Sequence, residues 1–352
     1  MIGAVVPVHN RRENLQLLLA SLARQTYHDF HLIVADDGST DGTRELVELQ
    51  SQQHPWHGRL RWVGCGPNQG VRTGRARNIG AANLHAGTRL LVMLDSDLVL
   101  RPEAMALFAD THTRHPRHIL FGMVEWLPPL DHSVIAAAIE ESHLCELRRL
   151  VPPTANRVMG TFTGPELRTG LFAREAHEPA ALDPRWALPL NSSWPVDLYW
   201  AAGGFDETMS GYGYQDMALG ARASQAGASC LACPELWALH VWHPKHTKTM
   251  IENQRNLDRY LRRHGAYLRR AGFGGMLEVD VDWALWWHYH AERGGTIAHQ
   301  HGTVWAVSAD RRHRLALPNK GWLARLGHCV HDPGDADGYN LADAADHGIA
   351  TE

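Results

Sequence analysis

Through the first third of the chain, short apolar runs alternate with polar, Gly-containing stretches. Residues 2–8 are apolar throughout except Gly3 and Pro7, and read as a strand buried on both faces. Between Arg11 and Gln25, Leu15, Leu18, Leu19 and Leu22 recur at helical spacing. A strand is predicted at His31–Ala35, a helix at Thr43–Gln53 and a short strand at Leu60–Val63. Thr73–His85 reads as a helix, and the unbroken apolar run Leu90–Leu94 as another buried strand. Pro102 is placed at the first turn of a helix running to about Arg114, ahead of a strand at His118–Trp126. This alternation predicts an α/β fold, a mostly parallel sheet with helices on both faces.

The rhythm changes after Trp126. Ser133–Leu150 reads as one helix, and residues 151–195, rich in Pro, Thr and Asn, resist assignment. A helix from Asp216 to about Gln225 and a strand within Cys230–Trp242 follow, then a charged amphipathic helix over Met250–Leu268. An Asp-, Gly- and Ala-rich tail, residues 332–352, is expected to be disordered.

Composition narrows the class. With 44% apolar and 20% charged residues, the 352-residue chain reads as a soluble globular protein of one large or two ordinary domains. A formal net charge of -4 gives no electrostatic case for nucleic acid or an acidic membrane. No apolar run approaches the roughly 20 residues of a transmembrane segment, and no basic leader precedes the first strand, so a cytoplasmic location is the expectation. Five Cys do not make a disulfide framework at this size. The 24 His and 13 Trp enrich for metal binding and sugar stacking.

Candidate chemistry gathers at strand ends. Asp95-Ser96-Asp97 closes the Leu90–Leu94 run, where open α/β sheets bind ligands. Carboxylates this close repel unless a cation or hydrogen-bond donors share the site, so Asp-x-Asp suggests a divalent metal holding phosphates. A turn or helix cap is the alternative. Asp36-Asp37-Gly38-Ser39 makes a tight turn after an earlier strand, with acceptors for a ligand or for capping. Gly64-x-Gly-x-x-x-Gly70 departs from the dinucleotide fingerprint, its third Gly one residue late, which argues against a nicotinamide enzyme. Arg72, Arg75 and Arg77 crowd the following loop-to-helix junction and suit phosphate. Gly211-x-Gly-x-x-Asp216 sets a carboxylate at a helix start amid Trp194, Tyr199, Trp200, Tyr212 and Tyr214. Cys230-x-x-Cys233 with His240 and His243 is a rival signal for structural zinc, although its spacings are short for one.

Taken in order, these pieces resemble glycosyltransferase family 2, nucleotide-sugar enzymes of the GT-A fold. The match runs through Val5–Glu13, Ala35–Thr43, Asn68-Gln-Gly70, Ala76–Gly80 and Leu94–Asp97. Gly203–Glu207 and Gly211–Asp216 resemble the acceptor-side segment of galactosyltransferase-like and chondroitin-polymerase-like enzymes. The resemblance implies a GT-A domain over 1–250, divided into a nucleotide-binding half, 1–126, and an acceptor half, 127–250. Residues 251–331 would be a helical, aromatic-rich extension.

The resemblance also implies roles. Pro7, Val8, Asn10, Glu13, Asp36 and Asp37 would hold the nucleoside, most often uridine. Asn68 and Arg77 would contact base or diphosphate, and Asp95 and Ser96 the ribose side. Asp97 would bind Mn²⁺ or Mg²⁺, completed by His240 or His243. Asp216 would be the general base of an inverting transfer. The family usually has an acidic pair there, where this chain has Gln215-Asp216. The implied partners are a UDP-sugar donor and an acceptor of unknown class, and residues 270–330, with their Trp and His, are expected to cover the acceptor side or to mediate self-association. A nucleotidyltransferase, or a non-catalytic carbohydrate-binding or scaffold module on the same fold, are the alternatives.

Overall fold

In a computed structural model, the structure describes residues 1–70, 72–151, 179–182, 188–243, 255–256, 259–260, 262–267, 296–300, 303–307 and 314–317. The first apolar runs are the strands β1 (Ile2–Val8), β2 (Phe30–Asp36), β3 (Leu60–Gly64) and β4 (Leu90–Leu94). The helices between them are α1 (Arg12–Ala23), α2 (Thr43–Ser51) and α3 (Thr73–Ala82). Every residue of β1, β2 and β4 is buried, which is why their sequences show no alternation.

Beyond β4 the chain makes β5 (Leu98–Leu100), α4 (Ala104–Arg114), β6 (His118–Trp126), α5 (His132–Glu140) and α6 (Leu144–Arg149). Then come β7 (Ala180–Leu182), β8 (Asn191–Pro195), α7 (Val196–Ala201), α8 (Gln215–Gln225) and β9 (Ser229–His240). The sheet runs β3-β2-β1-β4-β8-β6-β9-β5, with β7 also on β9. It is parallel through β3-β2-β1-β4 and again between β6 and β9. Antiparallel β8 joins those two parts by pairing with both β4 and β6.

Two local expectations are corrected, and one unassigned stretch is resolved. Pro102 lies ahead of α4, whose cap is Glu103, and its carbonyl accepts from the Thr26 amide. The single helix expected over Ser133–Leu150 is two, broken where Ser142 takes φ +63°. Asn191-Ser-Ser-Trp-Pro, which no apolar pattern announces, is a fully buried strand. Its polar groups find partners inside. His112 Nε2 and Ser193 Oγ are 2.8 Å apart, and the Asn191 amide donates to the Leu236 carbonyl at 2.6 Å. Gly122 admits that amide, since a Cβ there would lie 2.4 Å from Asn191 Nδ2 and 2.2 Å from the Leu236 carbonyl oxygen.

The described residues fall into two compact units. The first takes in those of Met1–Val158, Thr169–Ser210 and Gln215–His246. The second takes in those of Met159–Arg168, Gly211–Tyr214 and Thr247–Glu352. In the second, helical residues stand at 255–256, 259–260 and 262–267, within the helix expected there. It also holds an antiparallel sheet of β10 (Thr296–Gln300), β11 (Thr303–Val307) and β12 (Arg314–Leu317), an addition to the expected helical extension. The tail at 332–352 and Trp283, Trp286 and Trp287 lie outside the described residues. Among the described residues, no helix is long and apolar enough to cross a membrane.

Within the first unit, Asn78 on α3 fastens the Gly203–Glu207 segment. Its amide donates to the Phe205 carbonyl and Glu207 Oε1, both at 2.9 Å. Its Oδ1 accepts from Tyr199 Oη at 2.6 Å and the Phe205 amide at 2.8 Å. Asn78→Ala leaves the part-buried Tyr199 hydroxyl and Phe205 backbone groups unpaired and is expected to cost about 3 kcal/mol. A lowered urea midpoint with unchanged m-value is the measurement. A midpoint within error of the native chain would show the four bonds to be dispensable.

Candidate active site

The site lies in the first unit, at the C-terminal ends of β1, β2 and β4, where an open α/β sheet leaves a crevice. A cavity of about 430 Å³ opens there, with Pro7, Val8, Asp37, Asn68, Asp95, Ser96, Asp97 and His243 in its wall. Thus most of the residues proposed for the nucleotide surround one space. Arg72, which the sequence marks as suited to phosphate, also faces it, as do His9 and Arg11, to which the sequence reading gives no role. Arg11 could have been found, since it sits inside the Val5–Glu13 motif.

Asn10, Glu13, Asp36, Arg77, Asp216 and His240 are not in that wall. Asp36 holds the turn behind it. One carboxylate oxygen accepts from the Ser39 amide at 2.8 Å, the other from Trp62 Nε1 at 3.0 Å. Asn10 ties the first two strand-end turns together, accepting from the Thr40 amide at 2.8 Å. Glu13 is exposed on α1, 3.5 Å from His132. Gly38, at φ +78°, lets the neighbouring loop approach, since a Cβ there would lie 2.6 Å from the Asn68 amide. Asn68 in turn donates to the Asp37 carbonyl at 3.1 Å. Arg72 pairs with the Asp37 carboxylate at 2.6 Å.

The metal-type cluster is built by β5. This three-residue strand pairs with the end of β9 and puts Leu98 opposite His240, so Asp97 and His240 become neighbours. The Val241 amide locks the approach by donating to the Asp97 carbonyl at 2.8 Å. His240 Nε2 lies 3.4 Å from Asp97 Oδ1, and His243 Nε2 lies 3.0 Å from Oδ2. One ligand atom from each of the three falls within 4.8 Å of the others. The Trp126 ring stacks on the His240 imidazole, 3.7 Å between centroids, and sets its plane.

The residues fit a cation. Asp97 Oδ1 is buried and makes no hydrogen bond. Burial pushes the His240 pKa down, against the pull of Asp97, and so favours the neutral imidazole that a ligand must be. For Asp97, burial pushes up, but His240 and His243 outweigh it and hold the carboxyl below its usual range. The zinc alternative fails here. Cys230 and Cys233 are buried within β9, and seven residues of strand, about 23 Å, separate Cys233 from His240.

Arg77, only 4% exposed, joins the two other carboxylates. It reaches Asp95 at 2.6 Å with one nitrogen and Asp216 at 3.3 Å with another. Burial raises the pKa of Asp95 to about 7 against the pull of Arg77, with repulsion from Asp97 and Asp216 added. Burial likewise raises Asp216, and Arg77 opposes it. Two carboxylates therefore share one guanidinium, and the third, Asp97, faces two imidazoles, an acid-and-imidazole set suited to a cation.

Residues 4–126 match the model of Glycosyl transferase family 2. Validoxylamine A glucosyltransferase of Streptomyces hygroscopicus subsp. jinggangensis is 30% identical over 276 residues, 76% of this chain and 62% of the relative. The chain thus spans less than two thirds of the length of that relative. Two solved structures share the fold. One is S. aureus TarS 1-349 in complex with UDP-GlcNAc, with a TM-score of 0.53 and 16% identity over 74% of this chain and 65% of that one. The other is GalNAc-T7 with UDP, GalNAc and Mn2+, with a TM-score of 0.56 and 14% identity over 74% of this chain and 47% of that one. On these matches residues 4–126 are a Glycosyl transferase family 2 region, and the chain is similar to glycosyltransferases and shares the GT-A fold.

Proposed function

We propose that the chain is a metal-dependent, inverting glycosyltransferase that moves a sugar from a UDP-sugar to an acceptor hydroxyl. The observation that carries this is the Asp97, His240 and His243 cluster beside the 430 Å³ cavity, with Asp216 tethered nearby through Arg77. TarS in complex with UDP-GlcNAc and GalNAc-T7 with UDP, GalNAc and Mn2+ support the choice of donor and metal. Two imidazoles beside one carboxylate weigh toward Mn²⁺ over Mg²⁺, which prefers oxygen alone.

In this reading, Asp37 and Asn68 take the nucleoside in the wall formed with Pro7 and Val8. Asp36 and Asn10 shape that wall from behind. Asp97, His240 and His243 would hold the cation, which when bound would offset charge on the departing diphosphate. Arg77 keeps Asp95 on the donor side and turns Asp216 toward the acceptor. Asp216 takes the proton of the attacking hydroxyl as the bond to the anomeric carbon forms. Direct displacement needs one base and gives inversion. Residues 1–126 serve the donor, and 127–250 the acceptor.

The test is a panel of UDP-sugars incubated with the protein, with and without Mn²⁺, with released UDP and pyrophosphate both measured. Slow Mn²⁺-dependent release of UDP from one donor is expected even without acceptor, water taking the acceptor's place. Release of pyrophosphate would identify a nucleotidyltransferase. Donor binding with no turnover, across acceptors as well, would identify a non-catalytic module.

A further inference from the structure

Gln215 is the first residue of α8, directly before Asp216. Its Nε2 donates to the Met209 carbonyl at 2.7 Å. A carbonyl can only accept, so the amide nitrogen, not the amide oxygen, faces Met209. The bond spans an irregular stretch in which Gly211, Gly213 and Tyr214 all have positive φ. Met209 is itself a fixed point. It is buried, and its amide donates to the Asp206 carbonyl at 3.0 Å. Asp206 Oδ1 accepts from the Thr208 amide at 3.0 Å and the Thr208 hydroxyl at 2.7 Å. One residue earlier, Asn78 holds both backbone groups of Phe205. Asn78 follows Arg77 on α3, and the Arg77 guanidinium stands 5.3 Å from the centre of the Phe205 ring. α3 therefore holds Asp216 along two routes, directly through Arg77 and indirectly through this turn and Gln215.

A second anchor of α8 is Arg222, which donates to the Ala202 carbonyl at 2.8 Å and to the Gly204 carbonyl. Positions 215 and 222 are about two turns apart, so both anchors lie on one face of the helix and fix its axis and its rotation. Asp216 is turned about 100° from that face, and its carboxylate meets Arg77 at 3.3 Å. Without the Gln215 amide, Arg222 still holds the far turns, but the first turn loses the anchor nearest Asp216. A carboxylate at 215, where the family resemblance expects one, could not make this bond, because it would set an acceptor against an acceptor. We infer that Gln215 is a positioning residue for the transfer, its amide holding the start of α8 so that Asp216 keeps its place beside Arg77 and its aim at the attacking hydroxyl. The inference rests on the reading of Asp216 as the base.

A double-mutant cycle tests it, with UDP release measured from the UDP-sugar that the native chain turns over, Mn²⁺ saturating and water as the acceptor. Gln215→Leu keeps most of the side-chain volume and removes the donor. It is expected to lower kcat about ten- to a hundredfold, the scale for a displaced catalytic group, with the donor KM and Mn²⁺ affinity unchanged. Gln215→Glu is expected to lose at least as much. In an Asp216→Asn background, Gln215→Leu is expected to leave the residual rate where it is, because no base remains to be displaced. Gln215→Met serves as a second variant if thermal melting shows Gln215→Leu to be misfolded. A fall of equal size in both backgrounds overturns the inference, since that is a structural loss that does not pass through Asp216. A raised donor KM with native kcat overturns it too, by putting Gln215 on the donor, and so does native or faster turnover in Gln215→Glu. Native turnover in Asp216→Asn removes the base assignment, and the role of Gln215 with it. Native turnover in Gln215→Leu beside a slow Asp216→Asn removes the role of Gln215 alone.

Discussion

Asp97→Ala is expected to lower UDP-sugar turnover by about a thousandfold, or roughly 4 kcal/mol of transition-state stabilisation. The size follows from where Asp97 stands. Its carboxylate is the one anionic member of the cluster and meets both imidazoles, Oδ1 toward His240 and Oδ2 toward His243. Two neutral imidazoles without it hold a cation weakly. The loss should therefore appear first as weakened Mn²⁺ binding, with turnover partly recovered at high Mn²⁺. The fold should tolerate the change, because the tie between this loop and β9 uses the Asp97 carbonyl and the Val241 amide, not the side chain. Asp97→Asn sharpens the test, since it keeps the shape and removes the charge. A variant that binds Mn²⁺ and turns over donor at the native rate would sink the metal assignment.

The same stretch shows how far sequence reasoning reaches. Leu90–Leu94 announces a buried strand because all five residues are apolar, and the carboxylates at its end announce a ligand site. What the pattern does not announce is β5. Leu98-Val99-Leu100 is too short to signal a strand by periodicity, yet its pairing with β9 brings His240 to Asp97. So the sequence offered His240 and His243 as alternatives, whereas both stand beside one carboxylate. β8 was hidden for another reason. Ser192 and Ser193 are buried polar residues whose hydroxyls meet Trp194 Nε1 and the His112 ring, and partners of that kind are set by tertiary contact. Asp36 shows the converse. Its place in a family motif suggested ligand contact, but both its oxygens are engaged within the protein.

Asp216→Asn is expected to lower kcat by about a hundred- to ten-thousandfold, the range for loss of a general base. The variant isolates proton transfer from positioning. Asparagine retains Oδ1, so Arg77 can still donate to it as it does to Asp216 at 3.3 Å, and the start of α8 keeps its place. Mn²⁺ and UDP affinities should hold, because Asp216 is not in the wall of the donor cavity. The pH profile gives a second readout. Burial lifts the Asp216 pKa above the usual carboxylate range against the pull of Arg77, so the base is lost to protonation at a higher pH than an exposed carboxylate would be. The native enzyme should lose kcat/KM as pH falls through that raised value, and the residual rate of Asp216→Asn should be flat over the same range. Native turnover in Asp216→Asn would assign the base elsewhere. A lowered kcat with the acid limb intact would make Asp216 a partner of Arg77 and not the proton acceptor.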